Sequence, residues 1–152
     1  MKNMPVALGF KGLLAALIVV TSHAAFAQMT PVGSWHSMDD KTGELKSLVV
    51  IGETNGVLTG HVQALLRKDA DQKKLCSACT DDRKDKPVLG MEIIRGAKKV
   101  DGQDVWEGGK ILDPENGKEY TLRLTPIEGG KKLEVRGSIA FFWRTQTWVR
   151  VQ

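Results

Sequence analysis

The sequence predicts an all-β chain: a single antiparallel up-and-down β-barrel of about eight strands. Three observations carry that reading. Segments in the second half alternate apolar and polar side chains with a period of two. Glycine-centred turns separate short segments at hairpin spacing. Gly33-Ser34-Trp35 and Trp148-Val149-Arg150 bracket the region as the two halves of a barrel closure.

The alternation is clearest over 118–126, where Tyr120, Leu122 and Leu124 share one face and Glu119, Thr121, Arg123 and Thr125 the other. Leu133, Val135 and Ile139 then alternate against Lys132, Glu134, Arg136 and Ser138. Each pattern describes a strand with one face on an interior. Asn55-Gly56, Asp101-Gly102, Asn116-Gly117 and Gly129-Gly130 are hairpin signals, because these residues tolerate the positive φ of primed turns. Counting outward from them gives strands at 33–38, 45–52, 57–67, 89–96, 104–112, 118–126, 131–139 and 142–151. A meander of eight evenly spaced strands closes into a barrel.

Ahead of these strands, residues 1–27 read as a cleavable export signal. Lys2 and Lys11 give a positive leader, 13–20 an apolar run, and Ala25-Phe26-Ala27 a small-x-small cleavage site. The apolar run is shorter than the roughly 20 residues a spanning helix needs, and no later segment approaches that length. A periplasmic or secreted domain covering 28–152 is the expectation. Cleavage leaves 125 residues, one domain's worth, with 20 basic against 18 acidic side chains. Such a balance, without a basic stripe, gives no basis for nucleic-acid binding. The connection at 68–86 differs in kind: it is dense in Lys, Arg and Asp and is predicted to be an exposed loop, and it holds both cysteines.

Several runs resemble a bacterial family of exported proteins catalogued as domain of unknown function 2147. They are Cys76-Ser77-Ala78-Cys79, Pro87-Val88-Leu89-Gly90-Met91, the stretch from Gly108-Gly109-Lys110 through Asp113-Pro114-Glu115-Asn116-Gly117 to Tyr120, Leu133-Glu134-Val135-Arg136-Gly137, and Arg144-Thr145-Gln146-Thr147-Trp148-Val149-Arg150. A broader similarity is to lipocalin-like (calycin) barrels, which place a Gly-x-Trp at the first strand with a basic residue of the last strand over the indole. That resemblance implies closure roles for Gly33, Trp35 and Arg150. The chemistry is sound: a flat aromatic plugs an open end while a guanidinium stacks on it and satisfies nearby carbonyls.

Chemically, the Cys-x-x-Cys pair stands out. In an oxidising compartment Cys76 and Cys79 are expected to form a disulfide. A redox centre would place them at a helix N-terminus in a thioredoxin-like alternation, which this chain lacks, so a structural clip is the favoured reading. A zinc site would need about four ligands, and His36 and His61 lie in early strands far from the cysteines. His61 reads as a solvated strand residue, and no metal or cofactor is expected. Ser37, Ser47, Ser77 and Ser138 lack evident His and Asp companions. Asp39-Asp40 and Asp81-Asp82 read as solvated loop charges rather than an acid/base pair, and Asp113, Glu115 and Asn116 as a turn rather than a calcium loop.

The aromatic residues gather late, with Phe141, Phe142, Trp143 and Trp148 joining Trp106 and Tyr120. Parity sets Trp143 and Trp148 on opposite faces. If the barrel is hollow, Tyr120, Leu122, Leu124, Val135 and Trp143 are the candidate ligand pocket. The functional expectation is a non-enzymatic, exported binder of a small apolar or amphipathic molecule. The alternatives are an envelope interaction module of unknown protein partner and a thiol/disulfide-active protein using Cys76 and Cys79.

Overall fold

The computed structural model describes residues 29–151. Eight antiparallel strands run β1 (Gly33–Met38), β2 (Leu45–Thr54), β3 (Val57–Leu65), β4 (Glu92–Lys99), β5 (Trp106–Asp113), β6 (Lys118–Ile127), β7 (Lys132–Ile139) and β8 (Phe142–Arg150). Each strand pairs with its sequence neighbour, and β1 pairs with β8 through Trp35 opposite Arg150 and His36 opposite Val149. The result is a closed up-and-down barrel with no free edge. The expected leader, 1–27, lies outside the described residues.

Strand identities agree with the sequence reading throughout, and β4 shows the largest displacement. It begins at Glu92 rather than 89, because Val88 and Gly90 belong to the preceding connection. There the Val88 amide donates to the Lys74 carbonyl and the Gly90 amide to that of Val62. Gly96, expected to end the strand, has a φ of 83° and bends it instead. Likewise β3 ends at Leu65 rather than 67.

In an up-and-down barrel alternate connections fall at opposite ends. One end carries the chain entering β1, the chain leaving β8 and the β6–β7 turn. Here Trp35 is fully buried, and its Nε1 donates to the Pro31 carbonyl at 2.7 Å. The Arg150 guanidinium lies 4.1 Å from the ring centroid. It donates to the carbonyls of Gly130 (2.6 Å), Val32 (2.9 Å) and Thr30 (2.6 Å). Gly33 is required beside it: a Cβ there would stand 2.4 Å from an Arg150 guanidinium nitrogen. The closure roles implied for Gly33, Trp35 and Arg150 thus match their placement. Around Trp35 the lower barrel is filled by Ile51, Leu58, Ile94, Ala97, Trp106, Leu122, Leu124 and Leu133, all buried.

At the other end, the 68–86 connection departs from the expected free excursion. Most of its charged side chains are exposed, but Cys76, Cys79 and Arg83 are buried. Cys76 and Cys79 form the expected disulfide. Arg83 donates to both oxygens of Asp81, to the Glu92 carbonyl (3.1 Å) and to Glu119 (2.6 Å), tying the segment to β4 and β6. Asp82 takes two 2.9 Å bonds from Arg95 of β4. A guanidinium can be this deep because carboxylates and a carbonyl replace its water. The sequence pattern concealed this, since the anchors are ionic rather than apolar.

Candidate functional site: an interior cavity open at one end

Above the filled lower half the barrel is hollow. A cavity of about 610 Å³ opens between the connections at the upper end. Its interior wall is apolar, built from Val49 of β2, Val62 of β3, Ile93 of β4, Ile111 and Leu112 of β5, Val135 of β7 and Trp148 of β8. Val88, from the 66–91 connection, completes the wall near the mouth. Period-two alternation sends Val49, Val62, Ile111, Val135 and Trp148 inward, and the irregular pairing of β3 with β4 around Gly60 and His61 accompanies Ile93. Ile51, Leu58 and Leu133, deeper in the barrel, belong to the filled half.

Polar groups break the apolar wall at three points. Ser37 and Ser47, facing each other across β1 and β2, are buried with their hydroxyls 2.7 Å apart, and Ser37 also donates to the Ser47 carbonyl at 3.3 Å. Trp148 Nε1 donates to Gln146 Oε1 at 3.3 Å, and Gln146 in turn donates to Asp40. The Tyr120 hydroxyl accepts from Asn116 at 3.1 Å.

Charge is concentrated at the mouth. Arg67 bridges Asp39 (2.5 Å) and Glu115 (2.6 Å), and Lys46 joins Glu115 at 3.0 Å. Asp40 pairs with Arg144. The Thr42 and Lys41 amides, reinforced by Arg67, hold the Asp39 carboxyl at about 2, below the usual carboxylate range. Burial works against the charge on Glu115, yet Lys46 and Arg67 outweigh it and lower its pKa. For Arg67, burial is likewise overcome by Glu115 and Asp39, which raise its pKa. Lys68 and Lys74 complete the rim.

The residues expected to line a pocket are placed differently from one another. Tyr120 and Val135 line the cavity. Leu122 and Leu124 point inward but lie in the filled half, below it. Trp143 is corrected outright: it is 65% exposed on the outer face, with the Arg136 guanidinium 4.9 Å from its ring, while Trp148 takes the inward place. Ser37, Ser47 and the mouth ion pairs were missed. The serines could have been found by parity, since Ser37 shares a face with Trp35 and Ser47 with Val49; the ion pairs join residues 48 and 69 positions apart and leave no local signature. Asp39, Asp40, Asp81 and Asp82, read as solvated, are all paired with arginines. His61 is exposed beside Glu92, and 113–117 form a turn closed by the Gly117 amide on the Asp113 carbonyl. Among the described residues no group of three or more His, Cys, Asp or Glu side chains is placed to hold a metal.

A closed eight-stranded barrel, sealed at one end by Trp35 and Arg150 and hollow at the other, defines a lipocalin-like architecture. The chain belongs to the family described as uncharacterized protein conserved in bacteria (DUF2147), whose model matches residues 33–150. Among solved structures it is similar to protein HP1028 from the human pathogen Helicobacter pylori, described as belonging to the lipocalin family. The TM-score is 0.67 at 21% identity, over 80% of this chain and 82% of that one. No curated protein matches the sequence.

Proposed function

We propose that this protein binds a small apolar or amphipathic molecule in its cavity, without catalysing a reaction, and that it works in the cell envelope after export. The observation that carries the reading is the cavity of about 610 Å³, with an apolar interior and polar groups at one end. That volume falls in the range of small-molecule sites, which are mostly apolar with a few placed polar groups. An extended ligand would bury its apolar part against Val62, Val135 and Trp148 and leave its polar end among Lys46, Arg67 and Glu115.

Two features favour binding over chemistry. The mouth carboxylates Asp39, Asp40 and Glu115 are paired with arginine or lysine, an arrangement that suits structural ion pairing better than proton donation to a substrate. Both disulfide sulphurs belong to buried residues, which suits a clip better than an exchange centre that must meet a substrate thiolate. The leader-like 1–27 supports the envelope location.

The test combines native mass spectrometry of gently purified protein with displacement of a fluorescent fatty acid. The expected result is a saturable one-to-one complex that Val135→Phe weakens at least tenfold by filling the cavity. Absence of any bound species together with no fluorescent binding, or equal binding by Val135→Phe, would overturn the proposal.

A further inference from the structure

We propose that the β7–β8 hairpin tip docks the open end of the barrel onto an anionic phospholipid leaflet. The tip is the least expected surface of the molecule. Ile139 is 45% exposed, Phe141 91%, Phe142 77% and Trp143 65%. From Gly137 to Trp143 there is no charged residue, and the run is bounded on both sides by arginines, Arg136 and Arg144. Ala140 at its apex adopts a left-handed φ of 50°, a conformation unfavourable for alanine that leaves Phe141 projecting.

An apolar wedge between two guanidiniums complements a lipid surface in both chemistry and charge. The rings can enter the acyl boundary while Arg136 meets a phosphate and Arg144 does so by exchanging its Asp40 partner, and the Arg136–Trp143 stack suits the headgroup level where tryptophan concentrates. A protein partner fits the tip less well. The barrel has no free strand edge to extend. The four side chains present roughly 500 Å², below the roughly 800 Å² per partner of a stable interface. Continuity along β8 adds a consequence. Arg144, Gln146 and Trp148 of the same strand line the cavity, so docking through the tip sets the cavity mouth against the leaflet. The docking does not depend on what the cavity holds.

Trp143 is the exposed one of the four tryptophans, the others being buried, so its fluorescence reports the tip. Binding is measured by sedimentation with phosphatidylcholine vesicles, with and without phosphatidylglycerol, using variants that carry the same N-terminus so that any contribution of the leader cancels. The chain should bind the phosphatidylglycerol vesicles in a salt-sensitive manner, and brominated lipid should quench its fluorescence. Phe141→Ser/Phe142→Ser should bind about tenfold or more weakly at unchanged melting temperature. Trp143→Phe should keep binding and lose the quenching. Equal vesicle binding by the double variant would overturn the proposal, as would tip-dependent dimerisation in its place.

Discussion

Replacing Gly117 by alanine tests how the disulfide segment is held against the barrel. The Asp113–Gly117 turn lies directly beneath the Cys76–Cys79 clip. A Cβ on Gly117 would stand 1.9 Å from the Ala78 carbonyl oxygen, 2.3 Å from its carbon and 2.8 Å from the Cys79 nitrogen. All three are backbone atoms, so no side chain can rotate away; reaching ordinary contact requires a displacement of about 1.5 Å. Gly102 supplies the control. Its φ is 71° against 70° at Gly117, but nothing lies within 4 Å of its Cβ position. Both substitutions therefore incur the left-handed penalty of about 1–2 kcal/mol. Only Gly117→Ala adds the overpacking cost, of about 1–3 kcal/mol. Urea denaturation should show Gly117→Ala less stable than Gly102→Ala by that excess, and limited trypsin digestion should cut faster at Lys84 in the first variant alone. Equal stability and equal digestion of the two would refute the claim that the segment is docked on this turn.

Other expectations follow from the same geometry. Arg150→Ala should cost about 3 kcal/mol or more in thermal or urea unfolding, by removing three charged hydrogen bonds and the stack on Trp35; Arg150→Lys should restore less than half, since an ammonium cannot reproduce the planar fork. Cys76→Ala/Cys79→Ala should destabilise by about 2 kcal/mol, the chain-entropy value for so short a ring, with the loss matched by dithiothreitol treatment of the parent. Asp39, held by the Thr42 and Lys41 amides, and Asp81, held by Arg83, have folded pKa values of about 2 against 3.8 ordinarily. Because these are lowered, their stabilisation is complete above pH 4 and is lost as pH falls from about 4 to 2. Melting temperature should drop across that window, and Asp39→Asn/Asp81→Asn should flatten the drop while lowering the plateau.

The sequence by itself determined the strands, their order and the sealed end. These are local matters. A period of two fixes which residues face inward, glycine with asparagine or aspartate fixes the hairpins, and a Gly-x-Trp with a terminal arginine marks a closure. Tyr120 and Val135 were legible as inward residues for that reason. Trp143 and Trp148 were correctly set on opposite faces, but parity alone does not say which face is the interior. Tertiary structure decided that, because the answer depends on the register that the closed sheet imposes on β8 through β1 and β7. It also decided where the barrel is solid and where it is hollow. Leu122 and Tyr120 lie two residues apart on one face, yet one belongs to the filled half and the other to the cavity, since volume at each level is set by eight strands together. The long charged segment shows the same limit. Its composition described its surface, whereas its attachment rests on Arg83 reaching Glu119, 36 residues away, and on the close approach of Ala78 to Gly117. Such contacts join parts of the chain with no local pattern in common, and only folding brings them within range.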